Sequence, residues 1–219
     1  MRNWRSRLTP IQQRIYDRST AISSIQLLPS SQLQEAATTL EEALGADDQP
    51  QVQRLSQAVV NHICGRLSVR TVRVQVHGVR PSNRRGELHG LYTQYAGGSP
   101  NDSIQVWMRT AKRGHVVAFR TFLRTLLHEV CHHLDYVYLD LKESYHTQGF
   151  FQRESSLFRA IMESAPENRK TPRLSLSALV HEMLAQRAAV VQPKKDVEEQ
   201  DGPPPLAKPK DPNGSPRKL

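Results

Sequence analysis

The chain has 219 residues, of which 37% are hydrophobic, enough for one domain of ordinary size with extensions. No run of about 18 apolar residues occurs, and no apolar region follows the basic residues 1–7, so the sequence predicts neither a membrane span nor a secretory signal. With only Cys64 and Cys131 a disulfide framework is excluded, and we expect two buried thiols in a cytoplasmic protein.

Three helices are predicted before the first strand, at residues 11–28, 31–44 and 48–65. Each carries apolar residues at the three- and four-residue spacing of a helix with one buried face. Pro29 is expected to end the first helix and Gly45 the second, and Asp48 is a typical N-cap for the third. Together they form a predicted N-terminal helical region, residues 1–64.

A change from helical spacing to a period of two marks the start of a sheet. Val72, Val74 and Val76 alternate with polar residues and predict a strand. Two more strands, at residues 86–95 and 103–108, are predicted to form a hairpin around a turn rich in glycine. The expected fold class is α+β, with a small, mainly antiparallel sheet preceded by helices.

The net charge of +9 and the isoelectric point near 9.9 favour acidic partners, including DNA. Part of this charge lies around the first predicted strand, in Arg66, Arg70, Arg73, Arg80, Arg84 and Arg85. Such a cluster is either a solvated basic face or a phosphate-binding surface. No motif that reads base edges is present, so the sequence leaves both interpretations open.

Residues 121–141 are predicted to form a helix that carries an HExxH motif at 128–132. At about 100° per residue, His128, Glu129 and His132 project from one side and the apolar residues from the other. The two histidines could bind one zinc ion, with the carboxylate placed to accept a proton from a metal-bound water. The motif therefore predicts metal-assisted hydrolysis.

A third metal ligand is needed, because catalytic zinc sites usually have three protein ligands and one water. His146 is the first candidate, since a loop after the helix could turn the chain back towards the motif. Glu154 and Glu143 are the alternatives, because carboxylates also complete zinc sites. Residue types alone leave the choice open.

The segment around these residues resembles the SprT-like (Spartan-like) zinc metallopeptidases. In that family HExxH is followed, after a spacer of similar length, by a His with a Phe four residues later, here His146 and Phe150. The resemblance is specific at about residues 121–158 and loose over 65–165. It departs from the family because the chain has no Cys-rich zinc ribbon and has Thr147 where a glycine is common.

The resemblance implies a minimal zincin-like domain over residues 65–191, with its sheet packed on the HExxH helix. It also implies Zn2+ bound by His128, His132 and His146, with Glu129 as the general base of a peptidase that acts on a protein or peptide. An alternative of another class is a non-catalytic metal-binding, nucleic-acid-associated module with the same fold. Four protein ligands that close the metal site would indicate that alternative.

Three supporting residues are also predicted around the metal. Asp135, one turn beyond His132, is expected to orient a metal-binding histidine by accepting its other ring N–H. Tyr145 and His133 are candidates for stabilising an oxyanion. All three predictions depend on where the side chains point, which the motif does not fix.

The end of the chain is predicted to contain two more helices and a tail. The first, at residues 150–162, is expected to pack Phe151, Phe158 and Ile161 under the site, and a last amphipathic helix is predicted at 175–191. Residues 192–219 are rich in Pro, Lys, Asp and Gly and poor in apolar residues, and they predict a disordered tail.

Overall fold

Five α-helices and two small sheets make up the part of the chain that the computed structural model describes, residues 4–84, 86–95 and 101–163. In chain order the elements are a 3-10 helix (Trp4–Arg7), α1 (Pro10–Ala21), α2 (Ser31–Gly45), α3 (Gln49–Arg66), β1 (Arg73–Val79), β2 (Ser82–Asn83), β3 (Gly86–Glu87), β4 (Gly90–Thr93), β5 (Ser103–Arg109), α4 (Phe119–Val137) and α5 (Gln148–Met162). Within these described residues no helix is both long and apolar enough to cross a membrane. The helix predicted at 175–191 and the tail predicted at 192–219 lie outside them.

The N-terminal helices form where the apolar spacing predicts them, but the first is shorter than expected. α2 and α3 are confirmed, and Asp48 caps α3 by accepting a hydrogen bond from the backbone N–H of Gln51 at 3.0 Å. α1 ends at Ala21 rather than at residue 28, and the chain leaves it in an extended conformation. The prediction fails there because Arg153 of α5 binds carbonyl groups at the end of α1 and takes the place of a further helical turn.

The main sheet has three strands in the order β1-β5-β4. β4 pairs antiparallel with β5, as the predicted hairpin requires, but β1 pairs parallel with β5, with Arg73 opposite Ser103 and Val79 opposite Arg109. The expectation of a mainly antiparallel sheet is therefore wrong, since the longest pairing is parallel. Side chains alternate with a period of two in both pairings, so the valine spacing could not distinguish them. The strand predicted at 86–95 is also divided, because β3 pairs with β2 in a separate sheet.

The outer edge of β1 is covered by side-chain amides of α3. Each Nε2 atom donates to a carbonyl of the strand: Gln49 to Val76 (2.9 Å), Gln53 to Val74 (2.8 Å) and Gln57 to Val72 (3.0 Å). In return, Oε1 of Gln53 accepts from the N–H of Val76 (2.7 Å), and Oε1 of Gln57 accepts from that of Val74 (2.8 Å). The geometry matches because four residues of helix rise about 6 Å, close to the rise of two residues of strand. The glutamines therefore act as a substitute strand along this edge of the sheet.

α4 carries the two opposite faces that the sequence predicts, and it packs against β4, β5 and α5. Its apolar residues share one buried core with the inward residues of the sheet: Leu126, Leu127, Val130 and Leu134 with Val76, Ile104, Val106 and Met108. Cys64 and Cys131 are buried free thiols, as predicted. The α+β class is thus confirmed, whereas the zincin-like assignment stays a prediction.

The predicted domain boundary at residue 64 falls within the last turn of α3. α3 packs on β1, and α1 and α2 both pack on α5. α2 also contacts α4, so the N-terminal helices pack on the sheet, on α5 and on the helix that carries the HExxH motif. The other predicted boundary, at residue 191, lies outside the described residues.

We predict that Gln53→Leu lowers the free energy of unfolding by about 2–4 kcal/mol. The change keeps the size of the side chain but leaves the N–H of Val76 and the carbonyl of Val74 without their amide partner. Urea unfolding followed by circular dichroism measures the effect, and Gln32→Leu, the same change at an exposed position of α2, is the control. An unchanged free energy of unfolding would mean that water replaces the amide at no cost.

Candidate metal centre

The three predicted histidines meet at one point. α4 carries His128 and His132, and the loop after it, residues 138–147, returns to place His146 beside them. Nε2 of His146 lies 2.9 Å from Nε2 of His128 and 3.0 Å from Nε2 of His132. One ligand atom of each residue lies within 4.8 Å of the others, which is an arrangement that could hold a metal ion. The buried Phe150 ring packs against all three imidazoles, with centroid distances of 4.9, 4.7 and 5.1 Å.

Glu154 fixes which nitrogen of the His128 ring carries the proton. Nδ1 lies 3.2 Å from Oε2 of Glu154, and a carboxylate can only accept a hydrogen bond, so Nδ1 is the donor. Nε2 then presents a lone pair to the other histidines, as a metal ligand must. Glu154 therefore supports His128 from the side of the ring that faces away from the cluster.

His132 is oriented in the same way, but through a hydroxyl group. Its Nδ1 lies 2.7 Å from Oγ of Ser144, which donates its own proton to Oδ2 of Asp135 at 2.7 Å. Because that proton is used, Nδ1 of His132 must donate, and its Nε2 again presents a lone pair. The predicted role of Asp135 is thus indirect, since Ser144 lies between the carboxylate and the imidazole.

Two lone pairs directed at one point repel each other unless a cation lies between them. Burial, reinforced by the neighbouring histidines, lowers the pKa of His132 to about 3, and burial also lowers the pKa of His146. Both rings are therefore neutral near pH 7 and able to bind a cation. Imidazole nitrogen is a preferred ligand of zinc, so the donor set fits this metal.

Among the described residues, His146 is the candidate for the third ligand that reaches the other two histidines. Glu154 instead binds Nδ1 of His128 with one oxygen and Arg124 with the other, at 3.3 Å. Glu143 accepts hydrogen bonds from Gln12 and from the hydroxyl of Tyr145. The loop geometry therefore brings His146, and neither carboxylate, to the Nε2 atoms of the other two histidines, a choice that residue types left open.

A fully buried arginine holds the support of His132 in place. Arg153 of α5 donates from Nη2 to Oδ1 of Asp135 at 2.8 Å and from Nη1 to the carbonyls of Ser19 and Ile22, both at 2.7 Å. Neither Arg153 nor Asp135 is exposed to solvent. One side chain thus joins α1, α4 and α5 behind the histidine cluster.

Glu129 lies against the backbone of β4 rather than in open solvent. Its side chain is buried, and a Cβ atom added to Gly90 would lie 2.4 Å from its Oε1. Burial raises the pKa of Glu129 to about 7, although His128 and the backbone N–H of Tyr92 favour the ionised form. Any side chain at position 90 would compete with the carboxylate for the same space.

An open cleft passes the histidines along β4. A cavity of about 340 Å³ is bounded by His89 and Arg124, and a second one of about 420 Å³ is bounded by Gln94 and Tyr136. Both cavities have Gly90, His128 and Glu129 in their walls. The candidate metal centre and the carboxylate are therefore accessible from both directions along the strand.

Two residues predicted to stabilise an oxyanion, and one predicted to pack below the site, have other positions. His133 is buried, with Nε2 2.9 Å from the carbonyl oxygen of Arg70, and its ring packs edge-on to Tyr92. Tyr145 donates to Glu143 instead of facing the cleft. Phe151 is 49% exposed, whereas Phe158 and Ile161 are buried in the core, and the residue that packs on all three histidines is Phe150. These predictions are wrong because neither helical position, for His133 and Phe151, nor the sequence of the loop, for Tyr145, gives the direction of the side chain.

The arginines around the first strand fall into two groups. Arg70 pairs with the buried Asp102, and Arg80 is itself buried, with Nη1 3.7 Å from Glu87. Exposed arginines of the same cluster are Arg66, Arg73 and Arg84. Arg85 lies outside the described residues, and DNA binding by this surface stays a prediction.

Comparison with known proteins adds no relative. No protein-family model, no curated protein and no solved structure matches this chain. The resemblance to SprT-like metallopeptidases therefore rests on the motif residues, and membership of that family stays a prediction. Function must be argued from the geometry of the site.

We predict that the purified chain binds about one zinc ion and that His146→Ala loses it, because two imidazoles hold zinc weakly. Glu154→Ala should keep the metal with about 10-fold lower affinity, since it removes only the hydrogen bond that orients His128. Elemental analysis after addition of zinc gives the stoichiometry. His115→Ala, an exposed histidine before α4, is the control. Loss of zinc in Glu154→Ala but not in His146→Ala would contradict this assignment.

We also predict that Gly90→Ala lowers the free energy of unfolding by about 1–3 kcal/mol, because the new methyl group overlaps the Glu129 carboxylate. The penalty should disappear in a Glu129→Ala background, where the space is free. A double-mutant cycle by urea unfolding measures this coupling. Gly78→Ala is the control, since its Cβ would meet only Oε1 of Gln49 at 3.8 Å. Equal penalties in both backgrounds would rule out the contact as the cause.

Proposed function

We propose that this protein is a zinc-dependent metallopeptidase in which His128, His132 and His146 hold the metal and Glu129 is the general base. The observation that carries the proposal is the convergence of three Nε2 atoms beside a buried carboxylate on an open cleft. Orienting hydrogen bonds donated by Nδ1 of His128 and of His132 support it, because they leave both Nε2 atoms free to bind a cation.

Zinc, when bound, would polarise the carbonyl of the scissile bond and activate water. Glu129 would take a proton from the attacking water at a carboxylate oxygen and pass it to the leaving amine. Its pKa near 7 without a metal fits this exchange, and a cation on the neighbouring histidines favours the ionised form that accepts the proton. Contact with Gly90 would keep the carboxylate beside the metal centre.

An extended peptide is the substrate shape that suits the cleft. Among the described residues β4 pairs with β5 alone, so it is an edge strand there. A peptide could add to the sheet along the other side through backbone hydrogen bonds, with its scissile bond near Glu129. The cavities on both sides of the histidines give room for residues before and after that bond.

The alternative of a closed, non-catalytic metal site would need a fourth protein ligand. Glu154 was the candidate, but it binds Nδ1 of His128, on the side of the ring that faces away from Nε2. A position on the cleft side is then left for water or substrate, which favours the enzyme. Recruitment of the enzyme to DNA would rest on the exposed Arg66, Arg73 and Arg84, and DNA binding would have to weaken as salt is raised.

We predict that the zinc-loaded protein cleaves unfolded casein and that Glu129→Gln slows cleavage by about 10²- to 10⁴-fold while keeping the zinc. The amide keeps the size of the side chain but cannot accept the proton. Product peptides are counted by mass spectrometry, and Glu35→Gln, at an exposed position of α2, is the control. Full activity in Glu129→Gln would exclude its role as the base. Absence of cleavage in the zinc-loaded wild type, with casein and with a mixed peptide library, would contradict the proposed activity.

A further inference from the structure

We infer that α1 is a positioning element of the candidate metal centre. It holds the metal loop, defined as residues 138–147, so that Ser144 and His146 reach the two histidines of α4. This inference rests on the metal centre of the proposed function but not on peptidase activity. The metal loop supplies one proposed ligand and the hydroxyl that orients another, so its placement decides whether the site is complete.

The metal loop has side-chain contacts of its own between Lys142 and Asp140 and between Tyr145 and Glu143, and backbone bonds tie it to α4. Its turn passes through Asp140 in the left-handed region, with φ of 48°, which a free chain seldom adopts. The backbone N–H of Leu141 binds the carbonyl of Asp135 at 2.8 Å, and the N–H of Thr147 binds the carbonyl of Tyr145 at 2.7 Å. The first of these bonds ties the loop to α4 and the second closes its last residues, and further supports come from α1.

Side chains of α1 bind the first half of the metal loop. Arg18 donates from Nη2 to the carbonyl of Leu139 at 2.7 Å and from Nη1 to that of Asp140 at 3.4 Å. Further along, Nε2 of Gln12 donates to Oε1 of Glu143 at 3.2 Å. The same helix therefore meets the loop at the turn and next to Ser144.

The far end of the metal loop is bound inside the protein. Oγ of Ser19 lies 3.1 Å from Oγ1 of Thr147, and both residues are buried. Thr147 follows His146 directly and also caps α5, since its hydroxyl accepts from the N–H of Phe150 at 3.1 Å. The position of the third histidine is thus tied to the end of α1 through a single neighbouring residue.

The backbone of α1 is held just as closely to α5. A Cβ atom on Gly149 would lie 2.2 Å from the carbonyl oxygen of Ser19, 2.6 Å from that of Thr20 and 2.8 Å from that of Ile22. Only glycine permits this approach, and Arg153 binds two of the same carbonyls. α1 is therefore a fixed support against which the metal loop can be positioned.

Disturbing α1 should affect the metal-binding residues of the loop but not those of α4. His128 and His132 are four residues apart on α4 and keep their relation when α1 is disturbed. His146 and Ser144 would lose their alignment. Disturbing α1 should then weaken the metal site without unfolding the helix that carries the motif.

The test is the zinc affinity of Arg18→Ala/Ser19→Ala, compared with the matched control Arg14→Ala/Ser23→Ala, which removes one exposed Arg and one exposed Ser from the same region. Affinity is measured in the full chain by competition with a chromophoric chelator, and the visible spectrum of the Co2+ form reports the ligand geometry. We expect about 10- to 100-fold weaker zinc binding and an altered Co2+ spectrum in the test variant. Far-UV circular dichroism and the control should match the wild type.

Wild-type zinc affinity and an unchanged Co2+ spectrum in the test variant would overturn the inference. If that variant loses helical content, the zinc affinity of the single variant Arg18→Ala is the test, because Arg18 is exposed and its removal leaves the core intact. A wild type that binds no zinc would instead overturn the metal centre. A wild type that binds zinc but cleaves no peptide would contradict only the proposed activity, and the effect of α1 on affinity would still be measured.

Discussion

The candidate metal centre depends on the buried ion pair between Arg153 and Asp135. The guanidinium binds one oxygen of the carboxylate, and the other oxygen accepts the proton of Ser144, which in turn orients His132. Removing the arginine would leave a carboxylate without its charge partner in the interior, which is strongly destabilising. The same guanidinium binds the end of α1, and α1 holds the loop that carries His146. A single buried interaction therefore links the fold of the N-terminal helices to the geometry of the histidines.

Directing several imidazole lone pairs at one point is unfavourable for an isolated chain, so the surrounding structure has to stabilise it. Glu154 and Ser144 fix which nitrogen of the His128 and His132 rings faces the cluster, and Phe150 packs on all three rings. These contacts reduce the freedom that the rings would lose when a cation binds. A site prepared in this way could hold a metal ion with little rearrangement, and the carboxylate of Glu129 lies next to the same cleft.

The two edges of the main sheet are used in opposite ways. The glutamines of α3 satisfy the backbone groups of β1, which prevents that edge from pairing with another strand. β4, at the other edge, lies along the cleft and in contact with the general base proposed here. Closing one edge and leaving the other beside the histidines restricts strand addition to the place where chemistry would occur.

The sequence by itself determined the local features of this protein. The HExxH motif and the apolar spacing around it placed His128 and His132 on one face of a buried helix, because helical periodicity depends only on neighbouring residues. Tertiary structure decided the rest. It brought His146, rather than either carboxylate, to the Nε2 atoms of the other two histidines, placed Ser144 between His132 and Asp135, gave β1 a parallel partner and ended α1 early. Each of these outcomes depends on contacts between segments far apart in the chain, and neither residue type nor spacing records which distant groups will meet.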